Sequence, residues 1–280
     1  MDAWKDGKLY KGEDLTVSAY DHGFLYGLGF FETFRTYEGR LFLWDEHWSR
    51  LSHALADFRI TMPYDKETIA SAVKELTKAN NNEDGYFRLN VSAGIHDIGL
   101  QPTEYEKPTV ILFRKALHVA LRGTEKTAVW LETTRNSPES LIRHKSHHYA
   151  NNVQARFEVK SLASLEGIFL TSDGFVAEGI TSNVFWVKDG QIYTPSLQTG
   201  ILAGITRDWL ILNSATPVHE GLYTQGVLED ADEVFITNAV QEIVPITSIG
   251  EKQFSGNKGP VYIALHEAYV LQIQEERIER

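Results

Sequence analysis

The densest polar cluster in the chain is Arg143-His144-Lys145-Ser146-His147-His148-Tyr149. Three chemistries fit such a run. Neutral imidazoles are common zinc ligands, so the three histidines read as a metal site, although no His-Glu-x-x-His or His-x-Glu pattern supplies the base and carboxylate that would go with it. A run of charges is equally the start of a solvated helix. The third reading makes Lys145 a reactive amine, because a lysine whose pKa is lowered by adjacent cations forms a Schiff base with an aldehyde cofactor. Residue chemistry alone leaves all three open.

Several other chemistries are missing. With no cysteine, disulfide scaffolds, thiolate zinc sites, iron–sulfur clusters and cysteine nucleophiles are excluded. Gly27-Leu28-Gly29 lacks the third glycine of a dinucleotide fingerprint, no glycine-rich stretch ends in Gly-Lys-Ser/Thr, and the G-x-S-x-G elbow of serine hydrolases is absent. The 27 basic and 38 acidic residues leave a net charge of −11, which argues against nucleic acid or an anionic membrane as the main partner. The opening MDAWKDGKLYKGEDL mixes charges throughout and does not resemble a targeting segment, and no run approaches the ~18–20 apolar residues of a membrane span. A cytoplasmic address is expected. The sequon Asn90-Val91-Ser92 reads as a chance triplet.

The 280 residues, 42% apolar and 23% charged, suit one large globular domain or two of ~100–150 residues. Residues 1–44 read as strands and turns, with a β-rich run at 30–37 and a turn at Glu38-Gly39. Asp45 is a candidate cap for a helix whose stripe is Trp48, Leu51, Leu55 and Phe58. A second helix follows Asp65, carries Ile69, Val73 and Leu76, and ends in Asn80-Asn81-Asn82. Strands are expected at 86–92 and 109–113. Further on, Ser172-Asp173-Gly174 and Asp189-Gly190 mark hairpins over 167–176 and 183–193, since an Asp-Gly pair accepts the positive φ of a tight turn. Helices are expected after Gly204 and from about Val261. The fold class is therefore α/β (α+β) in two domains: a small N-terminal α+β domain over 1–115, a linker over 116–126 around Arg122-Gly123, and a larger β-rich domain with helices over 127–280.

Six segments occur in order along nearly the whole chain. They are Tyr20 to Gly27 running on to Phe31-Glu32-Thr33-Phe34-Arg35, His47-Trp48-Ser49-Arg50-Leu51, Lys145 to Asn152, Ala177-Glu178-Gly179-Ile180-Thr181-Ser182-Asn183-Val184-Phe185, Gly204-Ile205-Thr206-Arg207, and Thr237-Asn238-Ala239-Val240-Gln241-Glu242-Ile243-Val244-Pro245. Together they resemble the fold-type IV pyridoxal-phosphate enzymes, which comprise branched-chain aminotransferases, D-amino-acid aminotransferases and aminodeoxychorismate lyases. The resemblance implies a two-domain homodimer with pyridoxal 5′-phosphate held between the domains, the partner subunit closing each site through the stretch after Gly94. It implies that Lys145 is the Schiff-base lysine, Glu178 the partner of the pyridine nitrogen and Arg50 a phosphate ligand. Ile205 and Thr206 open a helix whose free N–H groups favour a phosphate, with the Thr206 hydroxyl as a further donor. Tyr149, four residues after Lys145, would share its face on a helix and bond the cofactor's phenolic oxygen. Asn238 is expected at the cofactor and the substrate.

Departures within the family bear on the reaction. Phe31 stands where D-amino-acid aminotransferases usually have tyrosine, and Ile98-Gly99-Leu100 falls where their Arg-x-His carboxylate trap would be. Thr33 and Thr237-Asn238-Ala239 differ from the Phe-Glu-Gly and Gly-Thr features of branched-chain enzymes. These variants look like the lyases, which release pyruvate to make 4-aminobenzoate for folate; transamination of D-amino or branched-chain amino acids is the alternative. On the lyase reading Lys145 is the general base, Lys145 or Thr33 protonates the departing enolpyruvate, Phe31 lines the site, and Arg35, Arg88 and Asn238 hold the dianionic substrate. Each has a plainer alternative: Arg35 and Arg88 as structural arginines within strands, Arg50 as a solvated arginine, Glu178 as a surface charge, and Tyr149 as core in a stripe with Val153 and Phe157.

Overall fold

A computed structural model describes residues 2–100 and 103–276; the ends of the expected domains, Met1 and residues 277–280, lie outside them. The chain forms two units. One runs through His118 and takes in His144–His148, and the other holds Val119–Arg143 and the chain from Tyr149 onward. Both combine sheets and helices, which is the α/β class expected.

In the first unit the strands are β1 (Asp2–Lys5), β2 (Lys8–Lys11), β3 (Gly29–Tyr37), β4 (Arg40–Leu41), β5 (Gly85–Ser92) and β6 (Thr109–Ala116), with helices α1 (His22–Tyr26), α2 (Trp44–Asp57) and α3 (Lys66–Ala79). The strands make one antiparallel sheet in the order β2-β1-β6-β5-β3-β4. Strand side chains alternate between faces, so Phe30, Glu32, Phe34 and Thr36 share one face of β3 while Phe31, Thr33, Arg35 and Tyr37 share the other. The first face is covered by the apolar stripes of α2 and α3: Phe30, Phe34, Phe87 and Leu89 pack with Leu51, Leu55, Ile69 and Leu76 in one buried cluster. Truncating a fully buried leucine such as Leu76 to alanine costs about 2–5 kcal/mol. The second face mixes buried Phe31 and Tyr37 with Thr33 and Arg35.

Asp65 caps α3, its carboxylate accepting the Thr68 N–H at 2.8 Å. Asp45 does not cap α2. That position belongs to Leu43, held at φ 51°, and Asp45 lies in the first turn, where its charge still favours the positive end of the helix.

The second unit has strands β7 (Lys126–Trp130), β8 (Leu165–Leu170), β9 (Val176–Gly179), β10 (Asn183–Lys188), β11 (Gln191–Pro195), β12 (Val218–Gly221), β13 (Glu233–Asn238), β14 (Glu242–Ile249) and β15 (Lys252–Gln253). Its helices are α4 (Ala150–Arg156), α5 (Ile205–Asn213), α6 (Gln225–Glu229) and α7 (Pro260–Glu275). The sheet order is β12-β11-β10-β13-β14-β7-β8-β9, with β15 on β14. Both Asp-Gly hairpins form, β8 with β9 and β10 with β11. Asp189 and Gly190 have φ of 50° and 73°, the pair of positive values that a two-residue turn demands. Val184, Trp186, Ile236 and Ile246 centre the core on one side of this sheet.

His144–His148 joins the first unit, although 127–280 is contiguous in the sequence reading, because it pairs with β3. The Phe31 N–H donates to the Lys145 carbonyl and the His147 N–H to the Gly29 carbonyl, both at 2.9 Å. Extended chain thus runs along the part of the β3 edge that the two-residue β4 does not reach. Lys145 is therefore not helical. The helix begins only at Ala150, so Tyr149 shares no helical face with Lys145.

Candidate active-site residues

In the first unit, Lys145 rises from this extended segment over the second face of the sheet, its Nζ 4.5 Å from the centroid of the Phe31 ring. The Arg88 guanidinium carbon is 3.5 Å from the same ring. Phe31 pairs with Asn90 and Thr33 with Arg88 in the β3–β5 register, which sets Thr33 and Arg88 side by side on that face. Asn90 Oδ1 accepts from His147 Nε2 at 2.9 Å and from Arg88 Nε and Nη2 at 3.3 Å each. Burial and the Arg88 charge push the His147 imidazole down to about 4, so it is neutral near pH 7. Arg35 lies on the same face, stacked 4.4 Å from the Tyr37 ring centroid.

The histidines of the sequence cluster turn to three separate partners. His144 Nε2 lies 3.0 Å from Asp57 Oδ2, His147 reaches Asn90, and His148 Nε2 lies 3.4 Å from the Tyr26 carbonyl. Among the described residues no three His, Asp or Glu side chains gather as metal ligands.

Arg50 is not a solvated arginine. Its Nε and Nη2 donate to Glu32 at 2.8 and 2.7 Å, and His47 Nδ1 is 2.7 Å from the same carboxylate. Burial alone would raise the Glu32 carboxyl, but the Arg50 charge and the bonds from His47 and Arg50 outweigh it and hold it at about 2. Sequence reasoning named Arg50 without Glu32 and His47. The available signal was a glutamate at an inward strand position between Phe30 and Phe34, where a carboxylate must find a cation.

In the second unit, Glu178 lies within β9, 5% exposed rather than a surface charge. Its Oε1 accepts from Arg135 Nε at 2.7 Å, and its Oε2 accepts the Leu202 N–H at 3.1 Å and lies 3.5 Å from Asn183 Nδ2. Arg135, missed in the sequence, is itself anchored by Nη1 to Asn151 Oδ1 at 2.7 Å. Tyr149 is the half-buried residue before α4, and its carbonyl accepts the Val153 N–H. Val153 and Phe157 are 51% and 79% exposed, so their stripe with Tyr149 is not core.

Ile205 and Thr206 open α5 after Gly204, and first-turn amides have no carbonyl partner within their own helix. Gly204 is required by close packing, since a Cβ there would stand 2.0 Å from Asn183 Oδ1. The Thr206 hydroxyl lies 3.4 Å from that of Tyr269. Asn238 Oδ1 accepts the Val240 and Gln241 N–H groups at 3.0 and 2.8 Å, and its Nδ2 donates to Gln241 Oε1 at 3.2 Å. The side chain builds the β13–β14 turn.

The amino-transferase class IV family model matches residues 29–249, and the chain belongs to that family, whose enzymes depend on pyridoxal phosphate. It is 44% identical over 274 residues to the aminodeoxychorismate lyase of Bacillus subtilis (strain 168), covering 96% of this chain and 94% of that one. It is 31% identical to the D-alanine aminotransferase of Staphylococcus epidermidis (strain ATCC 35984), covering 98% of each. Among solved structures, it superposes with a TM-score of 0.86 on the branched-chain aminotransferase of the thermophilic archaeon Thermoproteus uzoniensis with norvaline, at 28% identity over 98% of this chain and 94% of that one. Among the described residues no helix is long and apolar enough to cross a membrane.

Proposed function

We propose that the chain is a 4-amino-4-deoxychorismate lyase, which uses pyridoxal 5′-phosphate to release 4-aminobenzoate and pyruvate. The observation that carries this reading is the 44% identity, over 96% of the chain, to a lyase of that name. Phe31, Thr33 and the Ile98-Gly99-Leu100 stretch support it, because Ile98 and Leu100, 73% and 83% exposed, offer no charged trap for an α-carboxylate.

The donor set fits the cofactor. An aldehyde calls for an amine, a ring nitrogen that works protonated calls for a carboxylate, and a phosphate dianion calls for amides and a guanidinium; Lys145, Glu178, the first turn of α5 and Arg50 are those groups. When bound, pyridoxal phosphate supplies a sink for the electron pair of a broken C–H bond.

The remaining work falls to the chain's own side chains. Glu178, kept buried by Arg135 and the Leu202 amide, retains a proton on the ring nitrogen. Tyr149 would donate to the phenolic oxygen, and Ile205, Thr206 and Arg50, with the turn that Asn238 builds, would hold the cofactor. Lys145 would hold the cofactor's aldehyde carbon through its amine and, as a free amine, would be the base that takes the proton from the substrate ring carbon bearing the amino group. Aromatisation drives loss of enolpyruvate, which Thr33 or Lys145 protonates. Arg88 and Arg35, on the second face of the first unit's sheet, match the two substrate carboxylates. The reading includes a homodimer acting in the cytoplasm in folate synthesis.

A second reading, transamination, is favoured by the 31% identity to a D-alanine aminotransferase. One experiment separates the two. Aminodeoxychorismate supplied without any keto acid should yield 4-aminobenzoate and pyruvate in equal amounts; faster turnover of D-alanine or leucine with 2-oxoglutarate than of aminodeoxychorismate overturns the lyase.

A further inference from the structure

Lys126 on β7 and Glu166 on β8 take no part in the steps above, yet both are buried, 4% and 1% exposed. Lys126 Nζ and Glu166 Oε2 are 3.9 Å apart, a distance at which attraction only partly offsets the loss of water. Burial accordingly holds the Lys126 amine below its ordinary pKa and the Glu166 carboxyl above its own. A pair of this kind adds little to stability compared with apolar residues of the same volume. Its partners offer a different account.

Glu166 Oε1 accepts the Ile180 N–H at 3.0 Å, two residues after Glu178. The turn presses close: a Cβ on Gly179 would lie 3.1 Å from Glu166 Oε1 and 2.1 Å from Ser182 Oγ. Lys126 Nζ donates to Gln241 Oε1 at 3.2 Å, the same oxygen that accepts from Asn238 Nδ2. Glu242, next in the chain, is a buried non-glycine residue at φ 65°, a conformation that its surroundings must impose. One buried pair thus touches both the turn after Glu178 and the turn of Asn238.

We infer that Lys126 and Glu166 form a positioning brace that ties the turn following Glu178 to the Asn238–Gln241 turn and fixes these two cofactor-binding segments relative to each other. The inference rests on the reading of this chain as a pyridoxal-phosphate enzyme. It assigns the pair a role in cofactor binding rather than in folding.

The test strips holoenzyme of cofactor, then measures the Kd for pyridoxal 5′-phosphate and the Tm of the apoprotein in parallel. In Lys126→Met/Glu166→Gln the glutamine keeps an acceptor for Ile180 and the methionine keeps the hydrocarbon stem, so what is lost is the Lys126–Glu166 pair and its link to Gln241. Kd should rise roughly tenfold while the apoprotein Tm stays within about 4 °C of wild type. Gln241→Leu, which removes the acceptor shared by Lys126 and Asn238, should weaken binding in the same way, and Gln241→Glu, which keeps that acceptor, should bind as wild type does. If the double variant fails to fold, the two Gln241 variants decide. Unchanged Kd in Gln241→Leu and in any folded double variant overturns the brace, as does a rise in Kd for Gln241→Glu as large as that for Gln241→Leu. A wild-type protein that takes up no pyridoxal phosphate overturns the underlying reading and the brace with it, whereas wild-type uptake with unaltered variants overturns the brace alone.

Discussion

Lys145 and Phe31 are joined twice: the Phe31 N–H donates to the Lys145 carbonyl at 2.9 Å, and Lys145 Nζ lies 4.5 Å from the Phe31 ring centroid. The backbone bond sets where the lysine leaves the chain, and the ring limits where its amine can swing.

Lys145→Ala should therefore lose both the visible absorption of bound cofactor and nearly all turnover. Phe31→Leu should keep the absorption and lower kcat by about two- to tenfold, because the amine is then positioned less closely. Spectra before and after borohydride, with peptide mapping of the reduced lysine, check the first expectation, and steady-state kinetics check the second. Substantial lyase turnover by Lys145→Ala would sink the assignment.

Glu32 makes stability depend on acid in a defined window. Its carboxyl is held at about 2 against an ordinary 4.5, so the stabilisation is complete above pH 4.5 and disappears as pH falls from there through 2. Glu32→Gln should cost about 2–4 kcal/mol at pH 7. Urea unfolding of both proteins at pH 7, 4 and 3 should show the gap narrowing, and a gap that stays constant contradicts the ion-pair account.

His147 should titrate near 4 rather than 6.5 in histidine NMR spectra of the folded protein. Because the unfolded chain takes up this proton first, the site costs nothing above about pH 6.5 and destabilises the fold progressively as pH drops from there toward 4. His147 should contribute no ionisation to the kcat profile between about pH 5 and 8. A midpoint near 6.5 would show that burial and Arg88 do not control it.

Arg135 should matter as much as the carboxylate it holds. Arg135→Leu leaves Glu178 buried without its 2.7 Å partner, a loss of about 3–5 kcal/mol in comparable buried pairs. Glu178→Gln keeps the shape and removes the charge, and should reduce kcat at least about a hundredfold with a smaller effect on Tm. Thermal unfolding alongside kinetics separates the two variants; near-normal kcat in Glu178→Gln argues against a role at the ring nitrogen.

Much was legible in the chain because it depended on neighbours a few residues apart. The stripes Leu51, Leu55 and Ile69, Val73, Leu76 lie on the buried faces of α2 and α3, and Asp189-Gly190 turns where its φ preferences lead. The resemblance across the six ordered segments, not local spacing, singled out Glu178, and among the three readings of residues 143–149 it favoured the amine of Lys145. Asp45 was misjudged as a cap because nothing local announces a leucine at positive φ.

Tertiary structure decided the partners. Residues 143–149 have a spacing compatible with a helix, and Tyr149 four places after Lys145 suggested a shared face; the exposed edge of β3 instead draws that stretch into extended pairing, with Lys145 bound to Phe31 from a distant part of the chain. Arg135 and Glu178 are 43 residues apart, and Lys126 and Gln241 are 115 apart. Even the α7 amides of Val261 and Tyr262 are received by Glu233 of β13. A side chain's capacity to react is a property of its own atoms and so is written in the sequence, whereas the charge it meets and the water it loses depend on which distant segments fold against it.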